Sequence, residues 1–138
     1  MKFLFSTKSN AAMNDIWLLI YRVSLSAFML THGLPKLNRL LSGEGSNFPD
    51  PLGVGNELSL ILTVLGEVVA PVLVMIGLST RLAALPVAFA MGVAAFVIHG
   101  SDPFARKEMA LLFLLGFLTI VVMGSGKYAL DSLLGKRR

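Results

Sequence analysis

The stretch Leu58–Leu78, LSLILTVLGEVVAPVLVMIGL, decides the fold of this chain. A helix needs about 20 mainly apolar residues to cross the hydrocarbon core of a bilayer. Glu67 lies near the middle of the stretch, where an isolated acid costs on the order of 3 kcal/mol. Pro71 lacks the N–H that would bond the Glu67 carbonyl, which favours a kink. The stretch therefore predicts a membrane-spanning helix whose buried acid needs a partner.

The composition places the whole chain in a membrane. Of its 138 residues 55% are hydrophobic and 14% charged, whereas soluble domains carry about 25% charged residues. The length suits one bundle, so we expect a single domain over residues 1–138. The absence of cysteine excludes disulfides and Cys-ligated metal centres within the chain. The net charge of +4 is explained by basic residues at segment ends that face lipid head groups, and nucleic-acid binding is not expected.

Hydrophobic periodicity and breakers predict an all-α transmembrane four-helix bundle, in which Asn14 or Asp15 caps the first helix. The connection Ser79-Thr80-Arg81 is so short that the second and third helices must be antiparallel neighbours, with Ser79 or Thr80 as cap. From Lys127 onwards a short amphipathic tail is expected to lie on the membrane surface. The predicted helices cover approximately residues 16–36, 58–78, 82–99 and 105–123.

The distribution of Lys and Arg predicts the orientation of the bundle, because basic residues concentrate on the cytoplasmic side. With four helices, both chain ends share one side with the tight turn, and this side carries the larger number of basic residues. Both termini are therefore predicted to be cytoplasmic. The residues on that side are Lys2, Lys8, Arg81, Lys127, Lys136, Arg137 and Arg138, and those on the other are Lys36, Arg39, Arg106 and Lys107.

Several polar residues are predicted to gather toward the other face. His32 and Lys36 are four residues apart and share a helical face if Pro35 does not break the helix. Both histidines could simply bond loop carbonyls; the alternatives are a proton relay, hydrogen bonds to a quinone head group, or haem ligation. Haem is disfavoured because the chain has only two histidines, and no other metal-ligand spacing is present. The candidate polar site comprises His32, Lys36, Glu67, His99 and Glu108.

Arg22 is the first candidate for the partner of Glu67. Counted from Leu30, where the first apolar run ends, and from Leu58, where the second begins, the two residues lie about 12 and 13 Å deep. A buried arginine and a buried acid at equal depth should form an ion pair. Such a pair would serve either as a structural pin between two helices or as part of a proton or substrate path.

Taken together, these residues resemble the DoxX family of small bacterial membrane proteins. The resemblance extends from about Ile16 to Leu134, and Lys127 and Ala129 depart from the Arg and Ser that are more usual in the closing motif. The matching residues are Arg22, His32-Gly33, Lys36, Glu67, Gly77-Leu78, Thr80-Arg81, His99, Glu108, Gly124, Gly126-Lys127-Tyr128 and Leu130-Asp131.

The resemblance implies a four-helix bundle in the bacterial inner membrane. The family is named for a subunit of a terminal quinol oxidase, and relatives occur in thiosulfate:quinone oxidoreductases. Others are proposed as membrane anchors in oxidative-stress complexes. These associations imply a quinone and a redox partner protein for this chain, and they leave open whether it catalyses a reaction itself.

Three functions remain in competition at the level of the sequence. The first is a membrane subunit or anchor of a quinone-linked redox or oxidative-stress complex. The second is a non-catalytic scaffold in which the buried charges only hold the bundle together. The third is a small proton-coupled transporter that uses Glu67 and oligomerises to enclose a path. Self-association is also expected from small residues on the helices, namely Gly66, Gly77, Gly92 and Gly116.

Overall fold

The computed structural model describes residues 10–135, and this part of the chain is helical and contains no strand, which confirms the predicted all-α class. The first three helices are long and apolar enough to cross a membrane. The fourth is 20 residues long, and three charged residues lie close to its start. The helices are α1 (Ala11–Leu41), α2 (Asn56–Ile76), α3 (Thr80–Ile98), α4 (Phe104–Met123) and α5 (Leu130–Gly135).

Helix α1 is longer at both ends than the sequence pattern indicates. The side chain of Asn10 accepts hydrogen bonds from the backbone N–H groups of Ala12 and Met13, so Asn10 is the cap rather than Asn14 or Asp15. The helix continues through Pro35 to Leu41. At 1.5 Å per residue its 31 residues span about 46 Å. This exceeds the hydrocarbon thickness of about 30 Å, so α1 extends beyond the core of a bilayer.

Helices α2 and α3 each contain one turn of π-helix. The π-turn of α2 covers Leu65–Val69 and therefore includes Glu67; that of α3 covers Ala94–Ile98. In α2 the N–H of Ala70 bonds the carbonyl of Leu65, five residues earlier. The wider turn accommodates Pro71 without ending the helix. Short π-turns are rare, and many of them lie at functional sites.

The connection between α2 and α3 is a tight reversal, as predicted. Gly77 adopts a left-handed conformation (φ 76°) that terminates α2, and the N–H of Leu78 bonds the carbonyl of Leu73. Ser79 also has a positive φ, of 48°, and its side chain makes no capping hydrogen bond. The expected cap from Ser79 or Thr80 is therefore replaced by a group from elsewhere in the chain.

The core lies between the four long helices, with α3 packed against α2 and α4 and with α1 packed against α2 and α4. Small residues on α3, such as Ala84 and Ala88, let α4 approach closely, and Phe117 fills the space between the helices without any exposed surface. We call the end of the bundle formed by residues 41–56 and 99–103 the loop end. The end formed by residues 77–79 and 124–135 is called the tail end.

Candidate functional site

Lys36 and Glu67 form an ion pair across the interface of α1 and α2. The lysine Nζ lies 2.6 Å from Oε1 and 2.5 Å from Oε2 of the carboxylate. The Glu67 side chain is 4% exposed and that of Lys36 33% exposed. Gly33 makes this approach possible, because a β-carbon there would overlap the carbonyl oxygen of Glu67. The partner demanded by the buried acid is thus a lysine from the end of α1.

The predicted ion pair between Arg22 and Glu67 is wrong. The Arg22 guanidinium donates to the backbone carbonyls of Val74, Met75 and Tyr128. The depth estimate failed because it was counted from the end of the apolar run at Leu30, whereas α1 continues to Leu41. The 11 additional residues move Arg22 about 16 Å toward the tail end, level with the last turn of α2.

A largely apolar pocket of about 410 Å³ lies beside this ion pair. It occupies the space between the loop-end halves of α2 and α3, and the loop that follows α1 covers it. Both π-turns contribute to its wall, through Gly66 and Glu67 on one side and Ala94 and Ile98 on the other. The other lining residues are Lys36, Phe48, Pro49, Pro51, Leu52, Val54, Ser59, Leu62, Thr63, Leu65, Pro86, Phe89, Ala90, Val93 and His99.

His99 forms the polar edge of the pocket at the loop end. Its Nδ1 lies 2.8 Å from a carboxylate oxygen of Asp102, which is also 3.8 Å from the guanidinium of Arg106. The hydrogen bond with His99 holds the pKa of Asp102 below its ordinary value. A carboxylate accepts the Nδ1 proton, so the Nε2 of the neutral ring is left as a hydrogen-bond acceptor.

Two of the five candidate residues lie outside the pocket. The His32 ring packs edge-on against Phe113 of α4, with centroids 5.7 Å apart. Glu108 is exposed on α4 and does not line the pocket. The structure therefore brings Lys36, Glu67 and His99 together and separates them from His32 and Glu108.

Three polar residues near the pocket were missed by sequence reasoning: Asp50, Ser59 and Asp102. Asp50 accepts hydrogen bonds from the Ser59 hydroxyl (2.8 Å) and from the backbone N–H groups of Val54 and Gly55. The bond from Ser59 contributes most to lowering the pKa of Asp50. The position of Asp50 between two prolines was a usable signal, since a short acid in such a turn commonly bonds nearby backbone N–H groups.

The turn and tail residues on which the family resemblance rests meet at the tail end. Asp131 accepts hydrogen bonds from the N–H groups of Ser79 (2.6 Å) and Thr80 (2.8 Å) and from the Thr80 hydroxyl (2.7 Å). Burial raises the pKa of Asp131, but the hydrogen bonds from Thr80 and Ser79 outweigh it and lower the pKa overall. Asp131 thus caps α3, and Tyr128 offers its carbonyl to Arg22.

Arg81 lies at the same end and packs against Gly124, where a β-carbon would come within 3.0 Å of the guanidinium Nε. Gly124 has a φ of 83°, so a side chain there would also be strained. The turn after α4 and the first residues of α3 are therefore held closely together.

The helices, the membrane-compatible lengths and the buried charges define a small helical membrane protein. The chain belongs to the DoxX family, whose model matches residues 17–100. It is also similar to an uncharacterized protein of Haemophilus influenzae (strain ATCC 51907 / DSM 11121 / KW20 / Rd). The two are 33% identical over 124 residues, which cover 84% of this chain and 89% of the relative. No solved structure matches the chain significantly.

Proposed function

We propose that this chain is a quinone-binding subunit of a redox complex in the bacterial inner membrane, with α1–α4 all spanning the bilayer. The observation that carries the proposal is the Lys36–Glu67 ion pair in the wall of an apolar pocket of about 410 Å³. Small-molecule sites combine such a volume, roughly 300–1,000 Å³, with apolar walls and a few convergent polar groups. A quinone has this chemistry, because its ring carries two carbonyl acceptors and its tail is apolar.

The polar residues have separate roles in this proposal. Lys36 donates a hydrogen bond to a quinone carbonyl, and Glu67 holds the ammonium group in position. His99 and Asp102 link the pocket to the aqueous phase at the loop end and can pass a proton inward. Reduction of a quinone to a quinol consumes two electrons and two protons. The electrons would come from a redox partner protein, and the chain supplies binding, orientation and proton transfer.

The orientation of the bundle follows the same proposal. The tail end, together with both chain termini, faces the cytoplasm, and the loop end faces the opposite side. Lys2, Lys8 and the three basic residues after Gly135, which support this orientation in the sequence, lie outside the described residues. A homo-oligomer remains part of the proposal, since a small bundle with broad apolar faces can associate through them.

The test is native mass spectrometry of the protein extracted gently from its own membranes. We expect a bound quinone mass in the wild-type protein and its loss in the double variant Lys36→Met/Glu67→Leu. The double variant removes both charges together and so leaves no unpaired buried charge. His32→Ala is the matched control, because His32 lies outside the pocket, and it should retain the quinone. The same quinone occupancy in the wild-type protein and the double variant, or none in either, would contradict the proposal.

A non-catalytic membrane anchor is the second candidate, and the ion pair itself favours it. Lys36 and Glu67 already neutralise each other without a ligand, as a purely structural pair would. An anchor predicts that the double variant assembles with its partner and supports wild-type turnover of the complex. A quinone-binding subunit predicts normal assembly with reduced turnover.

A further inference from the structure

The entrance to the pocket indicates the route by which a ligand reaches Lys36 and Glu67. This inference rests on the proposed function. The loop end of the pocket is covered by a roof, which we define as residues 48–54. Phe48, Pro49, Pro51, Leu52 and Val54 all line the pocket from this side. The roof therefore covers the pocket on the side of the loop end.

The roof is held in place by specific contacts at both of its ends. Asp50 bonds the N–H groups of Val54 and Gly55 and the hydroxyl of Ser59, which is buried on the first turn of α2. At the other end, the guanidinium of Arg39 lies over the Phe48 ring, 5.7 Å from its centroid. These contacts tie the roof to both α1 and α2.

The side of the pocket between α2 and α3 is built differently. The two helices converge at the tight turn and meet at Gly66, where a β-carbon would lie 3.2 Å from that of Ala90 and 3.3 Å from the carbonyl of Pro86. Level with Gly66 and from there toward the loop end, large apolar side chains line the pocket and are also exposed at the surface. They are Leu62 (47% exposed), Leu65 (47%) and Phe89 (64%).

We propose that the ligand enters the pocket sideways from the hydrocarbon of the loop-end leaflet, between α2 and α3, beneath a roof that Asp50 holds closed to water. The ligand class is then a lipid already dissolved in the bilayer, with a compact hydrogen-bonding head and an apolar tail. Its head reaches Lys36 and Glu67, and its tail remains between Leu62, Leu65 and Phe89. Water-soluble quinone analogues without a tail would bind poorly because the aqueous side is covered.

The cysteine-free chain allows a direct test by single-cysteine labelling in membranes. Ala94→Cys places a thiol in the pocket wall. We expect it to react with lipid-soluble N-ethylmaleimide and at least about tenfold more slowly with a charged, membrane-impermeant maleimide. Ser46→Cys, exposed in the loop, is the control that reacts with both reagents. Val122→Cys, 76% exposed on α4, is the control for a lipid-facing thiol.

Variants of the roof and of the gap between α2 and α3 distinguish entry from the water at the loop end from entry from the bilayer. Asp50→Ala, or the milder Ser59→Ala, should raise the rate with the charged reagent at Ala94→Cys and leave N-ethylmaleimide labelling unchanged. Leu65→Trp should narrow the gap and slow N-ethylmaleimide labelling. Ile61→Trp is its matched control, because Ile61 is 37% exposed on the same helix but does not line the pocket.

Two outcomes would overturn the lateral route. One is an Ala94→Cys thiol that reacts with the charged reagent as fast as Ser46→Cys. The other is a thiol that reacts with neither reagent. Neither outcome depends on the identity of the ligand, so the failure of this inference is distinguishable from the failure to find a bound quinone.

Discussion

At the scale of single residues, the most informative group is the buried carboxylate of Glu67. An acid at this depth is tolerated only with a partner, and Lys36 provides it through two short contacts. Removing one partner of a buried pair leaves an uncompensated charge, whereas removing both avoids this penalty. The partner of Glu67 can therefore be identified by the coupling between two substitutions, measured as their combined effect on the free energy of unfolding.

We expect Lys36→Met to lower the free energy of unfolding by about 3 kcal/mol, because Glu67 loses its counter-ion. The double variant Lys36→Met/Glu67→Leu should recover most of the loss. The measurement is reversible unfolding in mixed detergent micelles, analysed as a double-mutant cycle. The cycle of Arg22→Met with Glu67→Leu is the comparison and should show little coupling. Strong coupling between Arg22 and Glu67 would contradict the observed pairing.

Gly33 is the second residue on which the site depends, because it brings α1 into contact with the π-turn of α2. Gly33→Ala should destabilise the protein by about 1–3 kcal/mol, the usual cost of an overpacked interface. The readout is the midpoint of thermal unfolding in detergent. Gly92→Ala is a matched control on α3, since a β-carbon there meets nothing within 4 Å. A neutral or stabilising effect at both glycines would rule out the close contact at Gly33.

At the scale of elements, α5 completes α3 although Asp131 lies 51 residues after Thr80 in the sequence. Asp131 supplies the N-terminal cap of α3 by bonding three groups of the Ser79-Thr80 turn. The backbone N–H of Asp131 also bonds the carbonyl of Gly77. The short tail helix is therefore an integral part of the tail end.

Asp131→Ala should lower stability by about 1 kcal/mol at neutral pH, the typical cost of losing a cap. The folded-state pKa of Asp131 lies below its ordinary value of 3.8. Its contribution is therefore fully present above the unfolded-state pKa and is lost as the pH falls through the folded-state pKa. The difference in unfolding free energy between wild type and variant should be constant at about pH 5–8 and disappear under stronger acid.

The control for this titration is Leu133→Ala on the same short helix, where the side chain is 61% exposed. Its effect on stability should be small and independent of pH. If the difference in unfolding free energy between wild type and Asp131→Ala persists unchanged into strong acid, the carboxylate does not act as the cap.

At the scale of the whole molecule, the two ends of the bundle are built differently. The tail end is closed by Arg22, which joins α1 to α2 and the tail, and by the cap from Asp131. The loop end contains the pocket, the two π-turns and the roof. Hydrogen bonds join α1, α2, α3 and the tail at the tail end, and the pocket lies toward the loop end.

The proposed topology predicts a specific labelling pattern in intact cells. Ser101→Cys, exposed in the turn between α3 and α4, should react with an impermeant maleimide added from outside the inner membrane. Lys127→Cys, exposed at the tail end, should react only after the membrane is permeabilised. The reverse pattern would invert the orientation, and labelling of both thiols from outside would mean that α4 does not span.

Much of this arrangement could be predicted from the sequence. Hydrophobic length predicted the helical class, because any chain must satisfy its backbone hydrogen bonds inside a bilayer. It also predicted the bounds of α2, α3 and α4 within about two residues, whereas α1 extends about five residues further at each end than predicted. Ser79-Thr80-Arg81 was short enough to require antiparallel neighbours. The residue types at the site, an acid at bilayer depth with a lysine and a histidine near one face, were also evident.

Only the tertiary structure decided which charged side chains form an ion pair. The axial register of α1 depends on how far it continues past Pro35 and on the contact of Gly33 with the Glu67 carbonyl, and neither follows from local pattern. With this register, Lys36 forms the ion pair with Glu67, and Arg22 donates to three backbone carbonyls instead. Helix rotation likewise turned His32 toward Phe113 and kept His99 at the pocket. A sequence determines which polar groups must be satisfied in a membrane, but the packing of the helices selects their partners.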